Sequence, residues 1–293
     1  MIKNLLLLPL LLNGIAHADV FPDLENLRRE PTMEEKQHLL RMGGPGKGAC
    51  SASAITPEIM ITAEHCLSRY VNGVTLLDLV EGYFEADPTQ KFKVQLKTDP
   101  KSRKKIPVIL DVSSHYENDM ILVKIKWESG KAPDSLRYTR EIAMTEADLK
   151  LGQDSEATPL FAVGYPMDRN YTAAYSTGFA KEKDFPGIAQ SMKDPYTGKQ
   201  FEQAVFLKVN VPLTNGNSGG PVYTGNYKLV GTVHGGSAAS DADRALDPTS
   251  QNPRLWNRIA PIFQMYPKMK TLQEHFPNGV NPNVNENGEW IGK

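Results

Sequence analysis

Short apolar runs that alternate with polar residues, each closed by glycine or proline, set the tightest limit on the fold this chain adopts. KFKVQLK at 91–97 puts Phe92, Val94 and Leu96 on one face, with lysines and Gln95 on the other. ILVKIKW at 121–127 gathers Ile121, Val123, Ile125 and Trp127, and VFLKVNV at 205–211 gathers Val205, Leu207, Val209 and Val211. Side chains alternate across a strand, so a period of two means half-buried antiparallel β-structure. PLFAVGYP at 159–166 and YKLVGTVHGG at 227–236 extend the same pattern. With 293 residues, the chain has enough length for two ordinary domains or one large all-β unit.

The first residues, MIKNLLLLPLLLNGIAHA, carry Lys3, an apolar run from Leu5 to Leu12 and a small-x-small end at Ala16 and Ala18. That is the layout of a signal peptide cut after Ala18, which predicts a secreted or periplasmic protein. The run is too short to span a bilayer, and no other stretch approaches the roughly 18 apolar residues a spanning helix needs, so no membrane span is expected. No cysteine sits near the cut to carry a lipid. The formal charge of −1 excludes a nucleic-acid partner on bulk charge. KSRKK at 101–105 reads as a solvated loop.

Cys50 and Cys66 are the two cysteines. In an oxidising compartment an isolated pair is a disulfide, since two ligands do not fill a zinc shell. Closing a loop of about 16 residues stabilises a fold by roughly 3 kcal/mol. No EF-hand, HExxH or P-loop pattern occurs, and neither a metal nor another cofactor is expected. TMEE at 32–35 fits a helix-capping box, with Gly43 as the helix stop. Apolar density falls between 130 and 155, which places a boundary near residue 150. The stretch 181–203 reads as a surface excursion, 257–276 as the site of a C-terminal helix, and the end as a polar tail.

Three segments carry residue types suited to nucleophilic chemistry. In TNGNSGGP at 214–221, Gly216 allows a turn that points its own N–H and that of Ser218 to one spot. Read alone, this is equally a glycine-rich turn. MITAEHC at 60–66 places His65 directly before Cys66 at the end of an apolar run. NDMILVKI at 118–125 opens a buried strand with Asp119, where an acid commonly serves as a turn or cap residue. A serine hydroxyl needs a base, and the base needs a group to fix its tautomer.

Together and in this order, the segments resemble those of chymotrypsin-fold serine proteases. TAEHC is similar to that family's Thr-Ala-Ala-His-Cys, with Glu64 replacing an alanine; NDMILVKI resembles its Asp-strand motif; GNSGGP matches its nucleophile loop. Cys50 in GACSASAI sits where the family places the partner of Cys66. The resemblance implies an all-β fold of two antiparallel six-stranded β-barrels with a C-terminal helix. It implies His65 as base, Asp119 as its orienter, Ser218 as nucleophile, and an oxyanion hole at the amides of Gly216 and Ser218. The expected substrate is a polypeptide, with a proteinaceous inhibitor or an activating protease as further partners. The corresponding division is 1–18 signal peptide, 19–45 N-terminal extension or propeptide, 46–150 first barrel, 151–265 second barrel, and 266–293 helix end and polar tail.

Within that family, AVGYPMDRN at 162–170 and VGTVHGG at 230–236 resemble the bacterial glutamyl-endopeptidase branch. The resemblance places Leu213, Thr214, His234, Gly235 and Gly236 around the substrate side chain, with His234 facing an acidic P1 residue. The branch has a threonine where this chain has Leu213. Asn217 stands where trypsin-like zymogens carry an acid, which excludes their activation ion pair. Two alternatives accompany this reading. One is a catalytically silent binding protein on the same fold. The other is an esterase using Gly216-Asn217-Ser218-Gly219-Gly220 as G-x-S-x-G, which requires a helix after the serine, where PVYTGNYKLVGTV follows instead.

Overall fold

Segments whose alternate residues are apolar close into two rings of antiparallel strands, each wrapped around the side chains it turns inward. The computed structural model describes residues 27–44, 49–67, 79–100, 103, 105–113, 118–149, 158–184, 206–236 and 257–292. The signal peptide expected over 1–18, most of the basic run at 101–105, the connection just beyond residue 149 and the excursion beyond residue 184 lie outside them.

Strand β1 (Arg28–Arg29) and the one-turn helix α1 (Met33–Lys36) lead into β2 (Leu40–Met42), β3 (Cys50–Thr56), β4 (Ile59–Thr62), β5 (Glu81–Phe84) and β6 (Asp87–Val94). Among the described residues β7 (Leu96–Thr98) and β8 (Lys105–Pro107) form a separate two-stranded sheet, and β9 (Ile109–Ser113) flanks β10 (Met120–Trp127). The order β4-β3-β2-β5-β6-β10, with β10 returning to β4, closes the first six-stranded barrel. The second half contains β11 (Glu141–Ile142), β12 (Pro159–Gly164), β13 (Ala174–Asp184), β14 (Phe206–Val209), β15 (Pro221–Thr224), β16 (Lys228–Gly236) and β17 (Asn257–Pro261). The order β13-β12-β15-β16-β17-β14, with β14 returning to β13, closes the second barrel. Short helices α2 (Ile262–Met265) and α3 (Lys270–His275) follow.

β10 shows why the barrels stay docked. Ile121, Val123, Ile125 and Trp127 fill the first barrel beside Phe92 and Val94. On the opposite face Met120 and Leu122 are equally buried, because they join Phe161, Val163 and Tyr223 of the second barrel in an apolar layer between the two. Leu96 leaves the expected apolar row. The Gln95 amide donates to Lys124 O at 2.8 Å, and the chain then turns off the barrel, so Leu96 on β7 is exposed.

Segments at both ends of the described residues are built into the barrels. The Thr32 capping box is present, with Glu35 N donating to Thr32 Oγ1 at 3.3 Å and Thr32 N to Glu35 Oε2 at 2.8 Å. Gly43 is not the helix stop. The helix ends at Gln37, and the fully buried Leu39, Leu40 and Met42 draw the next residues into β2, between β3 and β5; Gly43, at φ +93°, turns the chain after that strand. β1 pairs instead with β13 of the second barrel, Arg28 opposite Ser176. The C-terminal end is polar in composition, yet it packs on the first barrel. Asn281, fully buried, donates to Ile55 O at 3.1 Å, and Gly288 O accepts from Tyr138 N at 2.8 Å.

His38, between α1 and β2, is buried and stacks on Tyr227 at 4.4 Å. Its Nδ1 has no hydrogen-bond partner among the described residues. Burial, with a lesser push from Arg137, lowers its pKa from 6.5 to about 3. The unfolded chain therefore binds a proton below pH 6.5 that the folded protein refuses, so stability is full above 6.5 and lost as pH falls toward 3. Between pH 7 and pH 4.5 this group is expected to cost about 2.5 kcal/mol. Urea unfolding across that range checks it: His38→Phe is expected to show a correspondingly shallower acid loss.

Candidate active site

A buried carboxylate survives only where donors surround it, and Asp119 is fully buried. It takes a left-handed backbone, φ +51°, between β9 and β10. Asp is one of the few residues at ease there. Its carbonyl accepts from Glu64 N at 3.2 Å, and its Oδ1 accepts from His65 N at 2.9 Å. Asp119 Oδ2 lies 2.7 Å from His65 Nδ1. The His65 backbone and ring are thus both held by one carboxylate, and Nδ1–H donation leaves Nε2 as the basic nitrogen.

The disulfide between Cys50 and Cys66 closes the segment that carries His65, with Cα atoms 6.3 Å apart. Cys50 opens β3, so the same bond ties His65 to the neighbouring Ser51. Ser51 had no signal in the sequence, yet it joins the two barrels. Its amide donates to Ser218 O at 2.8 Å, its Oγ donates to Gly216 O at 3.0 Å, and that Oγ accepts from Tyr165 N at 3.3 Å.

The loop around Ser218 is tied down on its other side as well. Gly219 N donates to Val233 O at 2.8 Å and Val233 N to Gly220 O at 2.9 Å, while Asn217 N reaches Thr214 O at 3.1 Å. Two glycines are obligatory by geometry. Gly216 has φ +94°, and a Cβ there would fall on Tyr165 O; Gly219 has φ +77°, and a Cβ there would fall on Thr62 Oγ1. The close approach of Gly219 to Thr62 and Ala63 sets the serine loop against the end of β4, from which His65 emerges. Among the described residues the amides of Gly216 and Ser218 donate to no acceptor, so both are available to an oxyanion. β15 follows directly, a strand where an esterase elbow requires a helix.

His234 is set by an irregularity in its strand. Val233 pairs with Ile259 and Gly235 with Arg258, so His234 is the extra residue of a β-bulge on β16. A bulge re-aims its side chain. Here Nδ1 of His234 lies 2.7 Å from Asp119 Oδ2, the oxygen that also faces His65. Phe206 stacks on the ring at 4.3 Å. A substrate acid therefore has at most the Nε2 edge of His234. Leu213 is buried, Thr214 is half-buried, and Gly235 and Gly236 continue β16 beyond the bulge.

Ligating atoms of His65, Asp119 and His234 all lie within 4.8 Å, a spacing a metal ion could use. Both imidazoles already direct Nδ1 at the carboxylate, and hydrogen bonding accounts for the cluster. The second close group, Cys50, His65 and Cys66, offers no thiolate because its cysteines are bonded to each other.

A family model described as a trypsin-like peptidase domain matches residues 48–231. No curated protein matches the chain. Similar solved structures include the inactive form of Rv3671c from M. tuberculosis H37Rv as a serine-to-alanine mutant, 13% identical, covering 81% of this chain and 89% of that one with a TM-score of 0.47. The inactive form of Rv3671c protease is 14% identical, with 80% and 90% covered and a TM-score of 0.47. Deg5 is 15% identical, with 80% and 88% covered and a TM-score of 0.42.

Proposed function

From the premise that the chain belongs to the trypsin-like peptidase domain family, we propose that it is a secreted serine endopeptidase with Ser218 as nucleophile, His65 as general base and Asp119 as its orienter. The observation that carries this reading is the 2.7 Å contact between His65 Nδ1 and the buried Asp119, on a segment packed against the serine loop. His65 Nε2 takes the Ser218 proton as Oγ attacks the peptide carbonyl. The amides of Gly216 and Ser218 hold the oxyanion, and His65 then protonates the leaving amine. Water repeats the cycle on the acyl-enzyme. The first 18 residues direct export and are removed. The pairing of β1 and β2 within the two sheets supports retention of the chain from Arg28 onward in the active enzyme.

A fluorophosphonate reacts only with a serine activated by its neighbours. Treated with one, the folded protein is expected to carry a single adduct on Ser218 by peptide mass spectrometry, and to hydrolyse casein before treatment. A folded protein that takes no label and binds a polypeptide stoichiometrically would establish the silent binding protein instead. Cleavage of a peptide library reads the P1 residue in the same preparation. Dominant Glu or Asp at P1 supports an acid-binding role for the Nε2 edge of His234, as in the glutamyl-endopeptidase branch; a broad or aromatic profile removes that role.

A further inference from the structure

We infer that Ser51 is a positioning residue for the oxyanion hole: from the first barrel, its hydroxyl holds the Gly216 carbonyl and thereby keeps the Gly216 amide turned toward the substrate carbonyl. The inference rests on the endopeptidase reading of the site. A glycine cannot hold a direction by itself, because without a Cβ it exchanges positive and negative φ at little cost. Gly216 sits at φ +94°, so the peptide groups on either side of it must be fixed from outside. On its N-terminal side, Met167 N donates to Asn215 O at 2.6 Å. The O and H of a trans peptide point in opposite directions, so that bond turns the Gly216 N–H away from Met167. On its C-terminal side, Ser51 Oγ donates to Gly216 O at 3.0 Å.

The contact calls for a hydroxyl. Ser51 Oγ also accepts from Tyr165 N at 3.3 Å, and only a group that donates and accepts at once serves both main-chain partners. Ser51 is fully buried, so removing the hydroxyl leaves both partners away from bulk water. Its side chain lies in a recess that two glycines keep open. A Cβ on Gly164 would come to 3.0 Å from Ser51 Oγ, and one on Gly220 to 3.1 Å from Ser51 Cβ. Meanwhile the Ser51 amide donates to Ser218 O at 2.8 Å. One residue of β3 thus holds one oxyanion donor's residue by its side chain and the other's by its backbone. The adjacent Cys50 is bonded to Cys66, next to His65, so base and oxyanion donors are both anchored at the start of β3.

Ser51→Ala and Ser51→Gly remove the hydroxyl and release the Gly216 carbonyl. Each is expected to lower kcat about 10- to 100-fold with KM within about threefold of wild type, less than the roughly 10²- to 10³-fold loss on deleting an oxyanion donor outright. Ser51→Thr keeps donor and acceptor and is expected to stay within about threefold of wild-type kcat. A peptide aldehyde separates the oxyanion hole from the base: Ser218 Oγ adds to its carbonyl carbon, and the carbonyl oxygen takes the oxyanion's place. Its affinity is expected to fall by the same factor as kcat, while the pH midpoint of kcat/KM, set by His65, stays in place. Thermal unfolding checks the fold of each variant, and whichever of Ser51→Ala and Ser51→Gly stays folded decides. Fluorophosphonate labelling of wild type checks the underlying reading. A labelled wild type together with unimpaired kcat in that variant, with unchanged aldehyde affinity, or with Ser51→Thr equally impaired, overturns the positioning role alone. A folded wild type that is not labelled overturns the endopeptidase reading and this inference with it.

Discussion

In a casein assay, Ser218→Ala is expected to lower kcat by about 10⁶ and Asp119→Asn by about 10⁴. The two losses differ because the two groups act differently. Alanine at 218 removes the atom that attacks, yet leaves the loop intact, since its ties run through main-chain atoms of Ser218, Gly219 and Gly220 and the carbonyl of Gly216. Asparagine at 119 tolerates φ +51° nearly as well as aspartate, so the backbone is undisturbed. Its Oδ1 continues to accept from the His65 amide, which turns its NH₂ toward the two imidazoles. His65 Nδ1 must then accept rather than donate, the proton moves to Nε2, and the base is lost. Steady-state kinetics with fluorophosphonate labelling checks both variants; Asp119→Asn with near-wild-type kcat would remove Asp119 from the triad.

A chain begun at Gly46 is expected not to fold. It lacks β2, whose Leu40 and Met42 are fully buried in the first barrel, and Leu39, which is fully buried between the barrels. Burial of each such side chain is worth about 1.5–3 kcal/mol, so the three approach the whole stability of an ordinary domain, about 5–15 kcal/mol. The loss is topological as well. Without β2 the facing edges of β3 and β5 are unpaired, the first barrel opens, and bare strand edges invite association. Soluble yield and far-ultraviolet circular dichroism decide the matter. A soluble truncated protein with cooperative unfolding would show that the segment is a dispensable propeptide.

His65, Asp119 and Ser218 were legible as candidates because each stands inside a short local motif, and their order along the chain discriminates between families. The strands were legible from alternation, as in Ile121, Val123, Ile125 and Trp127, and their closure into two barrels was implied by the family resemblance. What the sequence hid depends on partners distant along the chain. Met120 and Leu122 are apolar for the sake of the other barrel, and Leu96 is exposed because the strand breaks at Gln95. Ser51 looks like any small strand residue until Gly216 and Ser218 arrive beside it. Nothing in VGTVHGG reveals the register shift that turns Nδ1 of His234 to Asp119.

The crossing of the chain ends has a consequence for biosynthesis. β1 is made before its partner in the second barrel, around Ser176; Asn281 and Gly288 are made after both barrels, yet they complete the surroundings of Ile55 and Tyr138 in the first barrel. Folding one half before the other, the usual course for a two-part chain as it is made, therefore leaves each half short of these contacts. The first barrel acquires the contacts of Asn281 and Gly288 only after the second barrel has been made. The candidate site, whose residues come from both barrels, is therefore expected to form only after the second barrel has been made.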